Sequence, residues 1–326
     1  MSYMKNQSKG FINILIIIVL SILSCISMYI SEITIHNSMV LSNTENRIQA
    51  QYIGEANILN CYTNIKETED LSTILYNLII NDSKYDFKNE RLVLDSSLNY
   101  ESKVLEQIVW SGNVPILKLI DEITYNGTKI SVEGNINLYN KLLFTNNDHI
   151  SAERYSRKEE LQFNSLITGV YEFIDSREIQ EKLKFVISEN GTIFHENGKN
   201  YMSNEESIIE LPIETRLLSN DKLHIGLDEI NSNIELSGVL ICNGDIELKC
   251  DLNFTGIVIM VNSKLINNGY NFDVKGCVIS DKNSESFGLE VKYDAEIILD
   301  SMKELPFFLD LKLNSVKLNT TGGNQQ

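Results

Sequence analysis

Between Phe11 and Ser31 the chain reads FINILIIIVLSILSCISMYIS, a stretch with no charged side chain. About 20 apolar residues rising ~1.5 Å each cover the ~30 Å hydrocarbon core of a bilayer, so this segment is expected to be a transmembrane helix. Asn13 is the most polar side chain in its apolar part, and Ile30 closes it. Lys5 and Lys9 precede the run and Glu32 follows it. The positive-inside rule then places the N-terminus in the cytoplasm and everything after residue 31 outside, as a single-pass protein of the inner or cytoplasmic membrane. A cleavable secretory signal fits less well. Its apolar region is usually about 7 to 15 residues and ends in a small-residue site, which Ser27-Met28-Tyr29 and Tyr29-Ile30-Ser31 do not supply. A plain signal anchor remains a competing reading of the apolar run taken alone.

The junction in front of the run is more specific. A short basic leader ending in Lys9-Gly10, followed at once by Phe11 and an apolar helix, resembles the class III signal of type IV prepilins and pseudopilins. The resemblance implies that a prepilin peptidase cuts after Gly10 and methylates Phe11, making residues 1–10 the leader and 11–31 the retained anchor and assembly helix. It also implies other pilin or pseudopilin subunits as partners, a surface filament as the destination, and no cofactor. One position departs from the pattern: Leu15 stands where major pilins carry a glutamate. That departure points to minor members, the PilX-like and GspK-like proteins that initiate or cap a filament.

From Glu32 to Lys66 there is no proline and a single glycine, Gly54, so residues 32–66 are expected to continue the helix outside the membrane. Ile48, Tyr52, Ala56 and Leu59 recur at helical spacing and line one face. The run Gln49 to Asn57, QAQYIGEAN, resembles the Gln/Ala-rich stretch that follows the anchor in PilX-like proteins. A continuous helix of about 55 residues would extend about 80 Å, a stalk under an external head.

Residues 67–220 read as a mixed α+β region. Leu71 to Ile80 and Tyr100 to Ile108 have helix-compatible periodicity, and Glu153 to Ile187 reads as a solvated helix or helix pair. Lys129 to Leu138 alternates like a strand pair turning near Gly134-Asn135, and Gly191 and Asn197-Gly198 mark turns.

Residues 221–300 hold an internal repeat. Ile234 to Ile241, Leu252 to Ile259 and Phe272 to Ile279 each read apolar, polar, apolar, polar, Gly, then three apolar residues. Their glycines are Gly238, Gly256 and Gly276, with Asn243-Gly244-Asp245 and Asn267-Asn268-Gly269 between copies. A period of about 20 residues with Asn/Gly corners is the signature of a β-solenoid; ordinary antiparallel hairpins would also suit Asn-Gly corners. The favoured reading is a short parallel β-helix, with Glu285 to Leu299 as a closing strand pair. A Gly-punctuated β-rich segment followed by Tyr293-Asp294 again resembles PilX-like proteins. Residues 301–326 are expected to be a tail. The fold class is thus α+β: a long pilin-like N-terminal helix, a mixed middle and a C-terminal β-solenoid.

Charge sets limits on partners. With 28 Lys+Arg against 45 Asp+Glu the chain has too few cations for a phosphate-binding patch, and nucleic acid is not an expected partner. Removing the leader's two lysines from the net charge of −17 leaves −19 for residues 32–326, so the acidity belongs to the exterior part.

The sequence carries no recognisable catalytic motif. His36, His149, His195 and His224 are scattered, and Cys25, Cys61, Cys242, Cys250 and Cys277 form no C-x-x-C pair, so no metal site is expected. Cys242 and Cys250 could pair across neighbouring strands, though packing as small apolar side chains is the stronger reading. Asp245, Asp251 and Asp273 are the candidates for an acidic cluster on a solenoid face. They support an alternative function, a signal-anchored surface protein whose β-helix binds or cleaves polysaccharide. The main expectation is a non-enzymatic minor pilin or pseudopilin.

Overall fold

The computed structural model describes residues 4–68, 71–80, 100–112, 114–151, 157–176, 183–187, 190–204, 207–227, 233–285, 288–302 and 305–319, with side chains from residue 11 onward except 80, 157 and 158. Its first element is one unbroken helix, α1 (Met4–Lys66, 63 residues), which at ~1.5 Å per residue runs about 95 Å. From Phe11 to Gln49 almost every side chain is exposed. From Ala50 onward the helix gains a buried face: Ala50, Ile53, Gly54, Asn57, Ile58, Cys61 and Ile65. The face lined by Ile48, Tyr52 and Leu59 is the solvent side, 46%, 62% and 51% exposed. The packed face instead uses small residues, because it meets a sheet at close range. A side chain at Gly54 would collide with Ile123 and Val132.

That sheet is antiparallel, in the order β1 (Tyr100–Ser111), β2 (Val114–Tyr125), β3 (Thr128–Tyr139) and β17 (Leu309–Leu318). Tyr100 to Ile108, expected to be helical, is strand β1, its alternating half-buried pattern showing that period two governs it. The expected turn at Gly134-Asn135 lies inside the single strand β3. The actual reversal is Asn126-Gly127, both at positive φ (46° and 79°). Leu117, Leu119, Ile123, Val132, Ile136 and Leu138 face the helix. α2 (Leu71–Ile80) joins the same core through Leu71 and Leu75.

Between β3 and β17 the chain makes a large excursion. β4 (His149–Ser151) and α3 (Arg157–Asp175) lead into β5 (Phe185–Ile187), β6 (Gly191–Glu196), β7 (Lys199–Ser203), β8 (Ile208–Leu211), β9 (Glu214–Ser219), β10 (Leu223–Ile225), β11 (Ile234–Cys242), β12 (Ile246–Leu248), β13 (Leu252–Met260), β14 (Leu265–Ile266), β15 (Phe272–Ser280) and β16 (Leu289–Tyr293). Strands β5, β9, β11, β13, β15 and β16 stack in parallel as one wall, and β6, β10, β12 and β14 as the other. They wind a β-solenoid of about four turns. Gly191 begins β6 rather than a turn, while Asn197-Gly198 does turn, into the antiparallel β7–β8 hairpin that ends the second wall. Winding starts at β5 and β6, upstream of residue 221, and the expected closing strand pair at 285–299 is one strand, β16, followed by a helix, α4 (Ala295–Ser301). Asp294 caps that helix by accepting from the amides of Glu296 and Ile297, a local interaction that outweighs further strand.

β17 falls in the stretch expected to be a tail. It pairs with β3 and places its Leu311 carbonyl 2.8 Å from the Tyr62 hydroxyl of α1, which donates to it. Residues 320–326, the end of that expected tail, lie outside the described residues.

The three repeat copies register as read from the sequence, with Gly238, Gly256 and Gly276 side by side in β11, β13 and β15. All three have positive φ (109°, 147° and 140°). A Cβ on each would strike the carbonyl oxygen of the preceding coil, at Thr215, Gly238 and Gly256 respectively. The glycines therefore permit backbone-to-backbone approach that no L side chain allows. They also divide each strand. Before them, Ile234, Leu236, Leu252, Phe254, Phe272 and Val274 fill the solenoid interior while the alternate residues face solvent. After them both faces are buried: Leu240, Val258 and Val278 point inward, whereas Val239, Ile241, Ile257, Ile259, Cys277 and Ile279 join the core shared with α1, α3 and α4.

Candidate functional site: the protruding helix and its root

The expected processing residues Lys9 and Gly10 lie within α1, and Phe11 follows them, 69% exposed. Leu15 and Ile30 are 51% and 58% exposed, and Asn13 is also exposed. In all, the helix presents an uncharged apolar surface around its whole circumference, long and apolar enough to cross a membrane. Ser21 adds no unmet polarity, since its hydroxyl donates to the Ile17 carbonyl at 2.8 Å. Thr34 does the same to Ile30 just beyond the run. Such internal satisfaction is what a helix needs where no water is available.

At the root of this helix lies a group that sequence reading missed. Asp121 of β2 is fully buried against α1. Its Oδ2 accepts from Asn57 Nδ2 at 2.8 Å and its Oδ1 from Ser102 Oγ at 2.7 Å. Asn57 Nδ2 also lies 2.9 Å from Ser102 Oγ. One carboxyl thus ties the helix to two strands. Burial pushes the Asp121 carboxyl above the usual range, with the Asn57 and Ser102 hydrogen bonds and the Lys103 amide pulling the other way. The same burial, with Glu106 and Asp121 nearby, pushes the Cys61 thiol up to about 12. Only the polar parity of Asp121 among Leu117, Leu119 and Ile123 could have signalled this in the sequence.

The solenoid offers no assembled chemistry at the positions considered. Asp245 accepts from the Lys264 amide at 3.0 Å and Asp251 from the Asn271 amide at 2.8 Å, both as corner braces between successive coils. Asp273 stands apart on the outer face of β15. Asn243, Asn262 and Asn283 stack as an amide ladder at another corner. Cys242 and Cys250 are free and buried; burial raises both thiols, that of Cys250 to about 11. His149 Nε2 sits 2.9 Å from Ser280 Oγ, joining β4 to β15. Among the described residues no group of His, Cys, Asp and Glu could hold a metal ion. Compared with protein-family models, curated proteins and solved structures, the chain matches none.

Proposed function

We propose that this protein is a minor pilin or pseudopilin: a membrane-anchored, non-enzymatic subunit that enters a type IV filament or related secretion or competence machine, in an initiating or capping role. The observation that carries the reading is the division of α1. Its first part is apolar and uncovered on all sides, while its last part, from Ala50, is rooted in an antiparallel sheet. Such a helix can wait in the bilayer as a single span and later pack against sibling helices without unfolding the head. The Lys9-Gly10-Phe11 junction supplies the processing site, and Lys5 and Lys9 hold the leader inside. Leu15 in place of an acidic residue suits a subunit added once rather than repeatedly.

The test is the mature N-terminus. Produced in cells with an active prepilin peptidase, the protein should begin at Phe11, its α-amine methylated, by intact mass and N-terminal sequencing. Gly10→Leu should retain the leader and remain in the membrane fraction. A wild-type protein that keeps Met1 in such cells would overturn the proposal.

A further inference from the structure

The last strand of the longer solenoid wall, β16, is paired with β15 on one side. Among the described residues no strand pairs with its other edge. The core is correspondingly open there. Leu289 and Val291 pack against the interior cluster but are only partly buried, whereas Phe272 and Val274, their partners one coil below, are sealed. Natural sheets guard such an edge with a short strand, proline, a bulge or charged side chains. β16 has no proline, and its two exposed charges, Glu290 and Lys292, have opposite sign and flank Val291 symmetrically. Neither forms an ion pair among the described residues.

That symmetry selects an occupant. In an antiparallel pair centred on Val291, a second β16 would place Val291 opposite its own copy, Glu290 opposite the copy's Lys292, and Lys292 opposite the copy's Glu290. Directly opposed unlike charges stabilise a strand pair and like charges oppose it. A two-fold axis through the centre makes one patch complementary to itself. The other end strands of the two walls do not have this property: β5 (Phe185–Ile187) and β14 (Leu265–Ile266) carry no charge, and in β8 Ile208-Ile209-Glu210-Leu211 sets no charge against its opposite under the same operation.

We propose that the β16 edge is a homodimerisation surface, in which two copies of this chain join their solenoid walls through antiparallel β16–β16 pairing. The added strand would cover the open flank of Leu289 and Val291. A five-residue strand buries less than the ~800 Å² per partner of a standard interface, so the dimer is expected to be reversible and concentration-dependent. The inference does not depend on cleavage at Gly10.

The experiment is a charge swap read by sedimentation of the full chain in detergent, with a far-UV spectrum and melt on each variant to establish folding. Glu290→Lys and Lys292→Glu should each weaken the dimer about tenfold by setting like charges opposite each other, and the double variant should restore it. A second measurement fixes the register. In a Cys25→Ser background, chosen because Cys25 is exposed and the other four cysteines are buried, Val291→Cys should form an oxidised dimer. Thr255→Cys, on the outer face but away from the edge, should not. A monomer at every concentration up to ~100 µM, equal cross-linking at positions 255 and 291, or a double variant no better than either single one would each overturn the proposal.

Discussion

The carboxyl of Asp121 allows the coupling of α1 to its sheet to be tested in detail. In Asp121→Ala the buried Asn57 amide, the half-buried Ser102 hydroxyl and the Lys103 amide lose their shared acceptor. An unsatisfied buried donor costs about 1–3 kcal/mol. Asn57 and Ser102 can still bond each other at their present 2.9 Å, which spares part of that loss. With Ser102 open to water on one side, the expected destabilisation is about 1–3 kcal/mol. Asp121→Asn behaves differently, because its carbonyl can accept from Asn57 while its amide donates to a rotated Ser102 hydroxyl. The network survives without a buried charge. The native carboxyl titrates above its unfolded value, so Asp121 contributes stability that is fully present below about pH 4 and is lost as pH rises through the raised native value. Asp121→Asn should therefore match wild type near pH 4 and exceed it near pH 7. Denaturant melts in detergent can follow this through Trp110, the chain's single tryptophan, at the end of β1. An Asn variant that loses stability relative to wild type as pH rises from 4 to 7 would refute the argument, since it would mean that the hydrogen bonds outweigh desolvation.

Further expectations concern backbone contact and burial. Gly256→Ala should cost about 3–5 kcal/mol, combining positive-φ strain with collision against the Gly238 carbonyl. Gly269→Ala, at φ 88° with open space around it, should cost about 1 kcal/mol, and paired thermal melts separate the two. Gly54→Leu should lower the melting temperature of the head through collision with Ile123 and Val132 while leaving the membrane fraction unchanged by sedimentation. A thiol reagent at pH 8 should spare the buried Cys61, Cys242, Cys250 and Cys277 in the native protein, with all four reacting in denaturant by mass spectrometry.

The parts of this fold legible in the sequence are those where one residue type has one physical use. An uncharged run of 21 residues can hardly be anything but a helix in lipid or in a core, and the glycines at 238, 256 and 276 announce a backbone contact that recurs once per coil. Parity was the harder signal. Tyr100 to Ile108 carries charges at Glu101, Lys103 and Glu106, which satisfy helical and strand periods alike. The strand won because its partner, β2, supplies twelve matched residues. β17 alternates leucines with polar residues clearly enough, yet its neighbour lies some 170 positions earlier, and no local pattern announces that distance. Asp121 escaped for a related reason: the groups that satisfy it, Asn57 and Ser102, come from separate elements.

The position of β17 also bears on the order in which the molecule can be made. Its pairing with β3 and its contact with Tyr62 join the end of the fold to the root of its first helix. If the chain threads outward behind its anchor, α1 is seated in the bilayer long before residues 309–318 emerge. Until then the sheet on which α1 rests has three strands, and β3 presents an open edge. A truncation near residue 300 would therefore damage the seat of α1 while leaving every coil of the solenoid encoded, and its first symptom should be loss of the protein to proteolysis.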